Sequence, residues 1–420
     1  MPVAALELND LSLLIQAEDG ALHAEPGFAR LTDDGIVTGE AARAIAWREP
    51  QHVYNQYWCQ LNQAPLPSRH RFARHHADIA FAQLRSLWQG AGSPESLLLL
   101  VPGNFTGEQL SLLLGMLEAL PARPAAVVDS ALAACAETSG DTLYLDLQMH
   151  DSVVTLCRPQ GDRMRIIEQE VFPGMGMAQI QNSLARHISD IMIESYRFDP
   201  LHSSGTEQAI FDQAPHWLAQ LCWERDVSIT LDTDQGEHRC VLHRDSVRKQ
   251  VGERLTGMSS FLDKHRQCSL LLSHAAGLLR GLVDELEEAE ALDQTAAAHH
   301  CLEGIDRLPD PEDGIYRLRE MRRAAGVTEP RTDGAQTATH LLHGDLALPL
   351  RKPVSIRVDE DGPRISANFD EDSHLTVVLR KQKLETLHQD AEVHLPRSCR
   401  PGESIRVAGH EFRLILIQGD

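Results

Sequence analysis

The sequence predicts an α/β protein with mixed sheets, followed by a separate all-β domain. Three observations carry this expectation. Short apolar strands alternate with amphipathic helices through most of the chain, hairpins interrupt that alternation, and the composition changes after a polar, Gly/Pro-bearing stretch at 322–338. The 420 residues are enough for two or three domains and a sizeable core.

Residues 3–24 alternate apolar and polar positions around Glu18-Asp19-Gly20 and read as a β-hairpin. Residues 39–60 begin as a helix and break at Pro50. Residues 70–89 read as an amphipathic helix ending before the Gly90-Ala91-Gly92 turn. A buried strand over 97–101 leads into the turn Pro102-Gly103-Asn104. The helix after it has Thr106 as N-cap, with Glu108 and Gln109 in its first turn. Residues 124–137 follow as a short strand and a helix rich in small residues. Two alternating runs, 143–147 and 152–157, then flank the polar piece Gln148-Met149-His150-Asp151. They form a hairpin with Asp146 near the close of its first strand.

Helices are expected over 176–197, 206–224 and 244–263, with a hairpin over 227–242 around Asp234-Gln235-Gly236. Residues 268–292 read as a buried strand, a turn and a long acidic-faced helix. From 339 onward the chain shows short strands and tight turns, at 359–362, 400–404 and 408–411. The expected organisation is therefore a domain over 1–320, a linker over 321–338 and a small all-β domain over 339–420.

Composition narrows the function. The chain is 42% hydrophobic, which marks a folded protein. It carries 61 acidic residues against 39 Lys and Arg, a net charge of −22. That balance argues against nucleic acid or an anionic membrane as the main partner, because both require a basic face. Eight cysteines are scattered with no C-x-x-C pair, as expected in a reducing cytoplasm. The N-terminus lacks a signal peptide's basic start and apolar core. No apolar run approaches the roughly 20 residues of a membrane span. Among the 21 histidines, His75-His76 and His299-His300 are adjacent. Helix neighbours diverge by about 100°, so such pairs make poor joint metal ligands.

The order of these segments resembles the nucleotide-binding domain of the DnaK-type heat-shock chaperones, within the actin-like ATPase superfamily. The resemblance covers roughly residues 3–308. LLLLVPGNFTGEQLSLLLGMLEAL is similar to that family's strand, Val-Pro-x-x-Phe turn and helix. AAVVDSALAACAE stands where the family has a Glu-Pro-x-Ala-Ala-Ala helix. LYLDLQMHDSVVTLC stands at its second phosphate loop, Asp-x-Gly-Gly-Gly-Thr. VTGEAARAIAWREP resembles a Val-Gly-x-x-Ala segment, and SLLLSHAAGLLRGLVDELEE the adenosine loop with its following helix. The resemblance implies a two-lobed actin-like ATPase fold, each lobe built on a five-stranded mixed sheet, with a deep cleft between the lobes.

The family's chemistry does not carry over equally. Its first phosphate loop, Asp-x-Gly-Thr-Thr, corresponds to Glu7-Leu8-Asn9-Asp10-Leu11. An acid survives at Glu7, but the glycine and both hydroxyls do not. In the second loop Asp146 survives, while Gln148, Met149 and His150 replace three glycines. Glycines matter there because only a bare backbone approaches phosphate oxygens closely enough to donate its N–H groups. The family's catalytic lysine falls near Gln56 or Tyr57, and no lysine occurs before Lys249. The adenosine loop's Gly-Gly becomes Ser273-His274.

The candidate site is therefore a degenerate cleft of Asn9, Asp10, Gln148, His150, Gly174, Gly176, Ser273 and His274. Glu7 and Asp146 are its vestigial catalytic or Mg²⁺-binding acids. Asp146 reads either as a strand-end carboxylate capping a turn or as an inherited Mg²⁺-water ligand. Pro173-Gly174-Met175-Gly176-Met177 reads either as an ordinary turn or as a helix N-terminus holding an anion. The replacements are expected to lean into the cleft, with His150 and His274 facing Glu7 or Asp146.

The C-terminal domain faintly resembles a forkhead-associated β-sandwich, in 339–358 and 400–417. That family reads phosphothreonine through a Gly-Arg pair and a spaced Ser and His. Here Ile356-Arg357 lacks the glycine and Ser373-His374 are adjacent. A protein-contact sandwich is expected rather than phosphopeptide recognition.

The functional expectation is a catalytically degenerate DnaK-like pseudo-ATPase. It would act in the cytoplasm as a protein-interaction scaffold or assembly factor, with other proteins as partners and no cofactor. The alternative is a divergent Mg²⁺-dependent ATPase or kinase using ATP, Glu7 and Asp146.

Overall fold

The computed structural model describes residues 3–233, 236–309, 314–323, 337–344, 346–359, 362–380, 383–391, 393–396 and 399–417. The chain divides into two compact units, Met1–Glu329 and Pro330–Asp420. The division falls inside the stretch read as a linker. Most of that stretch, 324–336, lies outside the described residues, as do the turn residues Asp234, Gln235, Glu360 and Asp361.

The first unit is a mixed α/β structure built on two six-stranded sheets. Sheet I runs in the order Arg317–Leu318, Arg123–Asp129, Ser96–Val101, Val3–Glu7, Leu13–Ala17, Leu22–Glu25. Sheet II runs Glu290–Ala291, Ser269–Leu272, Thr142–Leu147, Asp151–Gln160, Arg163–Pro173, Glu320–Arg322. The two share one plan. An antiparallel meander of three strands supplies one side, and its first strand pairs in parallel with strands that arrive later in the chain. Each sheet exceeds the expected five strands for one reason. The single segment 317–322 adds an edge strand to both.

The strand Ser96–Val101 is apolar from Leu97 onward because both of its faces are covered. Leu97, Leu99 and Val101 pack into one core with Leu6, Ile79, Leu84 and Leu87. Leu98 and Leu100 pack into another, with Ala5, Leu132, Tyr144, Leu271 and Ala298. That second core draws on both sheets and on the helices Ser130–Ala134 and Ala296–Glu303. The outer face of sheet II is covered by the helices Met177–Tyr196, Ser204–Leu221 and Arg244–Lys264. No helix among the described residues is long and apolar enough to cross a membrane.

Most elements follow the sequence expectations. Thr106 caps the helix Gly107–Glu118 in a full capping box: its hydroxyl accepts from Gln109 N at 3.2 Å and its amide donates to Gln109 Oε1 at 2.9 Å. Three expectations need correction. The helix in 39–60 is one turn, Glu40–Arg43. The chain then turns so that Trp47 stacks on Phe211 with ring centroids 4.1 Å apart. The 70–89 helix begins at His76 and runs to Gly90, because 66–74 form a loop closed by Leu66 N and Arg74 O at 2.8 Å.

The long acidic helix after residue 274 is absent. One turn, His274–Gly277, is followed by irregular chain and the short 3₁₀ turn Asp284–Leu286. Two features oppose a continuous helix. Gly281 sits against the backbone of Cys222, where a Cβ would stand 2.4 Å from the carbonyl oxygen. The buried Arg280 turns its guanidinium onto Ala289 O at 2.9 Å, folding the segment back on itself.

The second unit is all-β. A five-stranded sheet, Leu346–Pro349, His340–His343, His410–Ile415, Ser404–Val407, Val393–His394, and a four-stranded sheet, Gly362–Ser366, Val354–Asp359, Leu375–Arg380, Lys383–Gln389, are antiparallel throughout. They share one core of residues such as Leu341, Ile356, Val377, Ile405 and Phe412, which makes a sandwich. Ser373 points inward. Its hydroxyl bonds Asp370 O at 2.5 Å and Thr376 Oγ1 at 2.9 Å, while His374 Nδ1 accepts from Val358 N at 3.2 Å.

Candidate functional site

Strand alternation places the acids. Ala5 and Tyr144 both face the core between the sheets, so Glu7 and Asp146, two positions on, face the same way. The two carboxyls therefore approach one another from different sheets at the ends of their strands. A third acid, Asp10, is 5% exposed in the loop after the first strand.

Amides surround these acids. Asn9 Nδ2 donates to Asp146 Oδ1 at 2.9 Å and to Leu147 O at 3.0 Å. Gln148 Nε2 donates to the other oxygen, Asp146 Oδ2, at 3.1 Å. Asn104 Nδ2 in turn holds Gln148 Oε1 at 2.9 Å. Asp10 Oδ1 accepts from Met149 N at 2.7 Å. Glu7 stands apart: it is half-buried, its Oε2 is fully enclosed, and that oxygen has no hydrogen-bond partner.

Burial raises all three carboxyls. Desolvation, with a smaller contribution from Asp146, pushes Glu7 up to about 8. Burial carries Asp10 to about 7 against the pull of the Met149 amide. Burial also takes Asp146 to about 6, although Gln148 and Asn9 hydrogen-bond its charged form.

The 148–150 loop is built into the fold. Met149 is 3% exposed and packs with Phe28, Ala42 and Ala46. The carbonyls of Gln148, Met149 and His150 accept from Met177 N at 2.9 Å, Ala178 N at 2.9 Å and Gly176 N at 3.1 Å. These donors are the N-cap and first amides of the helix Met177–Tyr196, the groups that an anion at that N-terminus needs. Gly176 is required by this contact, since a Cβ there would lie 2.4 Å from His150 C. Gly174 serves the turn itself: its φ is +71° and its amide donates to Asp151 Oδ1 at 3.1 Å.

Other sequence candidates take different positions from those expected. His150 does not face Glu7 or Asp146. Its Nε2 lies 3.0 Å from Asn55 O, and burial lowers its pKa. His274 does line one cavity with Glu7, as expected, but burial holds it below its ordinary value and it pairs with the Leu292 backbone. The expected charge-assisted contact is replaced by the amides of Asn9 and Gln148, which reach the carboxylate from closer positions in the chain fold. Ser273 Oγ accepts from Leu147 N at 3.1 Å and Ala276 N at 3.3 Å, capping its own helical turn and tying down the Asp146 strand. Tyr57, near the expected lysine position, is fully buried with its hydroxyl on Gln83 Oε1 at 2.5 Å.

Sequence reasoning missed a further buried acid, Asp129. It is 0% exposed, caps the helix Ser130–Ala134 through Ala131 N at 3.0 Å, and pairs with Arg317. Arg317 also donates to Phe105 O at 2.8 Å and Pro102 O at 2.9 Å, while Gln169 Nε2 reaches Asp129 Oδ2 at 3.3 Å. The available signal was an acid closing an apolar strand immediately before small helix-forming residues.

Two small cavities among the described residues border the acids. A cavity of about 20 Å³ lies among Asp10, Cys59, Asn104 and Gln148, and one of about 60 Å³ among Glu7, Ser12, Tyr144, His274 and Gln294. Ligand pockets hold roughly 300–1,000 Å³. A groove of about 400 Å³ lies elsewhere, between the Arg244–Lys264 helix and residues 282–286, and none of the three acids lines it. As arranged, each Asp146 oxygen accepts from an amide donor, and the first amides of the Met177–Tyr196 helix are bonded to the 148–150 carbonyls. Among the described residues no group of three or more His, Cys, Asp or Glu is placed to hold a metal ion. No known protein family matches the chain, and a search of curated proteins finds no match.

Proposed function

We propose that the chain is a degenerate relative of the DnaK-type nucleotide-binding domain, two-lobed in the actin-like manner, that serves as a protein-interaction scaffold or assembly factor without turning over ATP. The observation that carries this reading is the fate of Asp146. Where an active site would present that carboxylate to metal-bound water, Asn9 and Gln148 occupy both of its oxygens. Further support comes from the meander-plus-parallel plan repeated in both sheets, which suits two lobes of common design. The C-terminal sandwich offers a second contact surface in this reading. All eight cysteines are free, in keeping with a reducing cytoplasm.

One observation favours the alternative of a divergent Mg²⁺-dependent ATPase or kinase: Glu7 keeps an unpartnered oxygen and borders the 60 Å³ cavity. Phosphate release from ATP with Mg²⁺ separates the two. The scaffold reading expects no release above buffer. Steady release that disappears in Asp146→Ala establishes the enzyme.

A further inference from the structure

The chain's acidity is interrupted once at length. No Asp or Glu occurs from Pro50 to Ala77, although 61 of 420 residues are acidic. Within this stretch lies Ser68-Arg69-His70-Arg71-Phe72-Ala73-Arg74. The structure presents these residues as a projecting loop. Pro65 bridges to His75, and Leu66 N bonds Arg74 O at 2.8 Å, so the loop's ends are pinned together. Leu66 and Ala73 are buried and anchor it to the core of sheet I. Between those anchors Arg69, Arg71 and Phe72 are exposed.

The loop is also ordered from within. Phe72 N donates to His70 Nδ1 at 3.3 Å, and the Arg71 guanidinium lies 5.1 Å from the centre of the Phe72 ring. The ring is 39% exposed, unusual for a phenylalanine with a core nearby. Among the described residues neither Arg69 nor Arg71 has an acidic partner, while Arg74 is drawn back toward Asp78. Two unpaired guanidiniums beside a solvent-facing aromatic ring form a surface for carboxylates next to an apolar side chain.

We infer that the 66–74 loop is a docking surface for a short acidic segment of a partner protein, one carrying an apolar residue among its carboxylates. The protein's charge selects a short segment over a longer polyanion. Outside the loop the chain carries 61 acidic residues against 36 Lys and Arg, and at physiological salt the repulsion from exposed acids reaches about 8 Å. A nucleic acid or an anionic membrane would extend across that repelling surface; a short peptide ends within the loop's reach. The inference rests on the scaffold reading only in requiring a protein partner, and it stands whether or not the cleft takes nucleotide.

Fluorescence anisotropy on the full chain tests it, using a fluorescein-labelled Asp/Glu-rich peptide with one central Leu. Binding is expected at low salt and is expected to weaken as salt rises. Arg69→Glu/Arg71→Glu should lower affinity roughly tenfold or more, and Phe72→Ala by several-fold. Arg186→Glu, an exposed charge reversal on another helix, should leave it unchanged, and a thermal melt of each variant checks folding. Absence of peptide binding, or binding insensitive to Arg69→Glu/Arg71→Glu, overturns the proposal. So does binding of a single-stranded oligonucleotide or of phosphatidylserine vesicles in preference to the peptide. The measurement is made with and without ATP and Mg²⁺, so a nucleotide effect, which bears on the scaffold reading, is seen apart from the loop's own contribution.

Discussion

Asn9 and Asp146 stand 137 residues apart in the chain and meet through a 2.9 Å hydrogen bond. Asn9 follows the first strand of sheet I, and Asp146 closes the corresponding strand of sheet II. The same asparagine reaches Leu147 O and receives Leu11 N on its own oxygen, so its amide is fully used. The bond therefore joins the two sheets at the point where phosphate loops are expected from the resemblance.

Asn9→Ala removes that bond and leaves Asp146 and Leu147 with an unmatched acceptor each. The loss is expected to be about 1–3 kcal/mol. Chemical denaturation at pH 7 measures it.

The buried carboxyls give stability a definite pH dependence. Glu7 is raised from 4.5 to about 8 on folding. A raised acid contributes its full share below the ordinary value and loses it as pH climbs through the folded value. Wild-type stability should accordingly fall between about pH 5 and 8, by up to about 1.4 kcal/mol per pH unit from this group. Glu7→Gln removes that slope. Thermal melts should show the variant above wild type at pH 8 and close to it at pH 5.

Gly174 and Gly176 are expected to respond to alanine in different ways. Gly176→Ala drives a methyl into the His150 and Met149 backbone and should cost more than about 2 kcal/mol, because backbone cannot give way as a side chain can. Gly174→Ala meets open space and carries only the strain of its positive φ, about 1–2 kcal/mol. Denaturant midpoints of the two variants check the order.

Much of the fold was legible in the sequence. Period-two alternation at 143–147 and 152–157, the Thr106 capping pattern and the amphipathic helices all depend on local physics, and the structure follows them. The illegible parts depend on distant contacts. Nothing local in 268–292 announces that Gly281 must fit against Cys222, so its helix-like pattern misled. The short strands at 317–322 have no periodicity of their own and exist because two sheet edges accept them. At the site the candidate residues Gln148 and Asp146 were readable, but the partners of Asp146 were not. Asn9 and Gln148 are ordinary polar residues until folding brings them to one carboxylate.

Asp129 and Arg317 test the importance of those late strands. Arg317→Met strands a fully buried carboxylate and should cost about 3–5 kcal/mol, whereas exposed Arg123→Met should cost well under 1 kcal/mol. Urea unfolding of the two variants reads the difference.

Isothermal titration calorimetry with ATP and Mg²⁺ is the most direct test of the central proposal, that the side chains around Asp146 leave no place for a nucleotide. The wild-type chain should give no binding heat at micromolar nucleotide, because Asn9, Gln148 and the 148–150 carbonyls already hold the groups a triphosphate needs. Binding at micromolar affinity or tighter would contradict the account, whatever a Gln148→Gly/Met149→Gly/His150→Gly variant does.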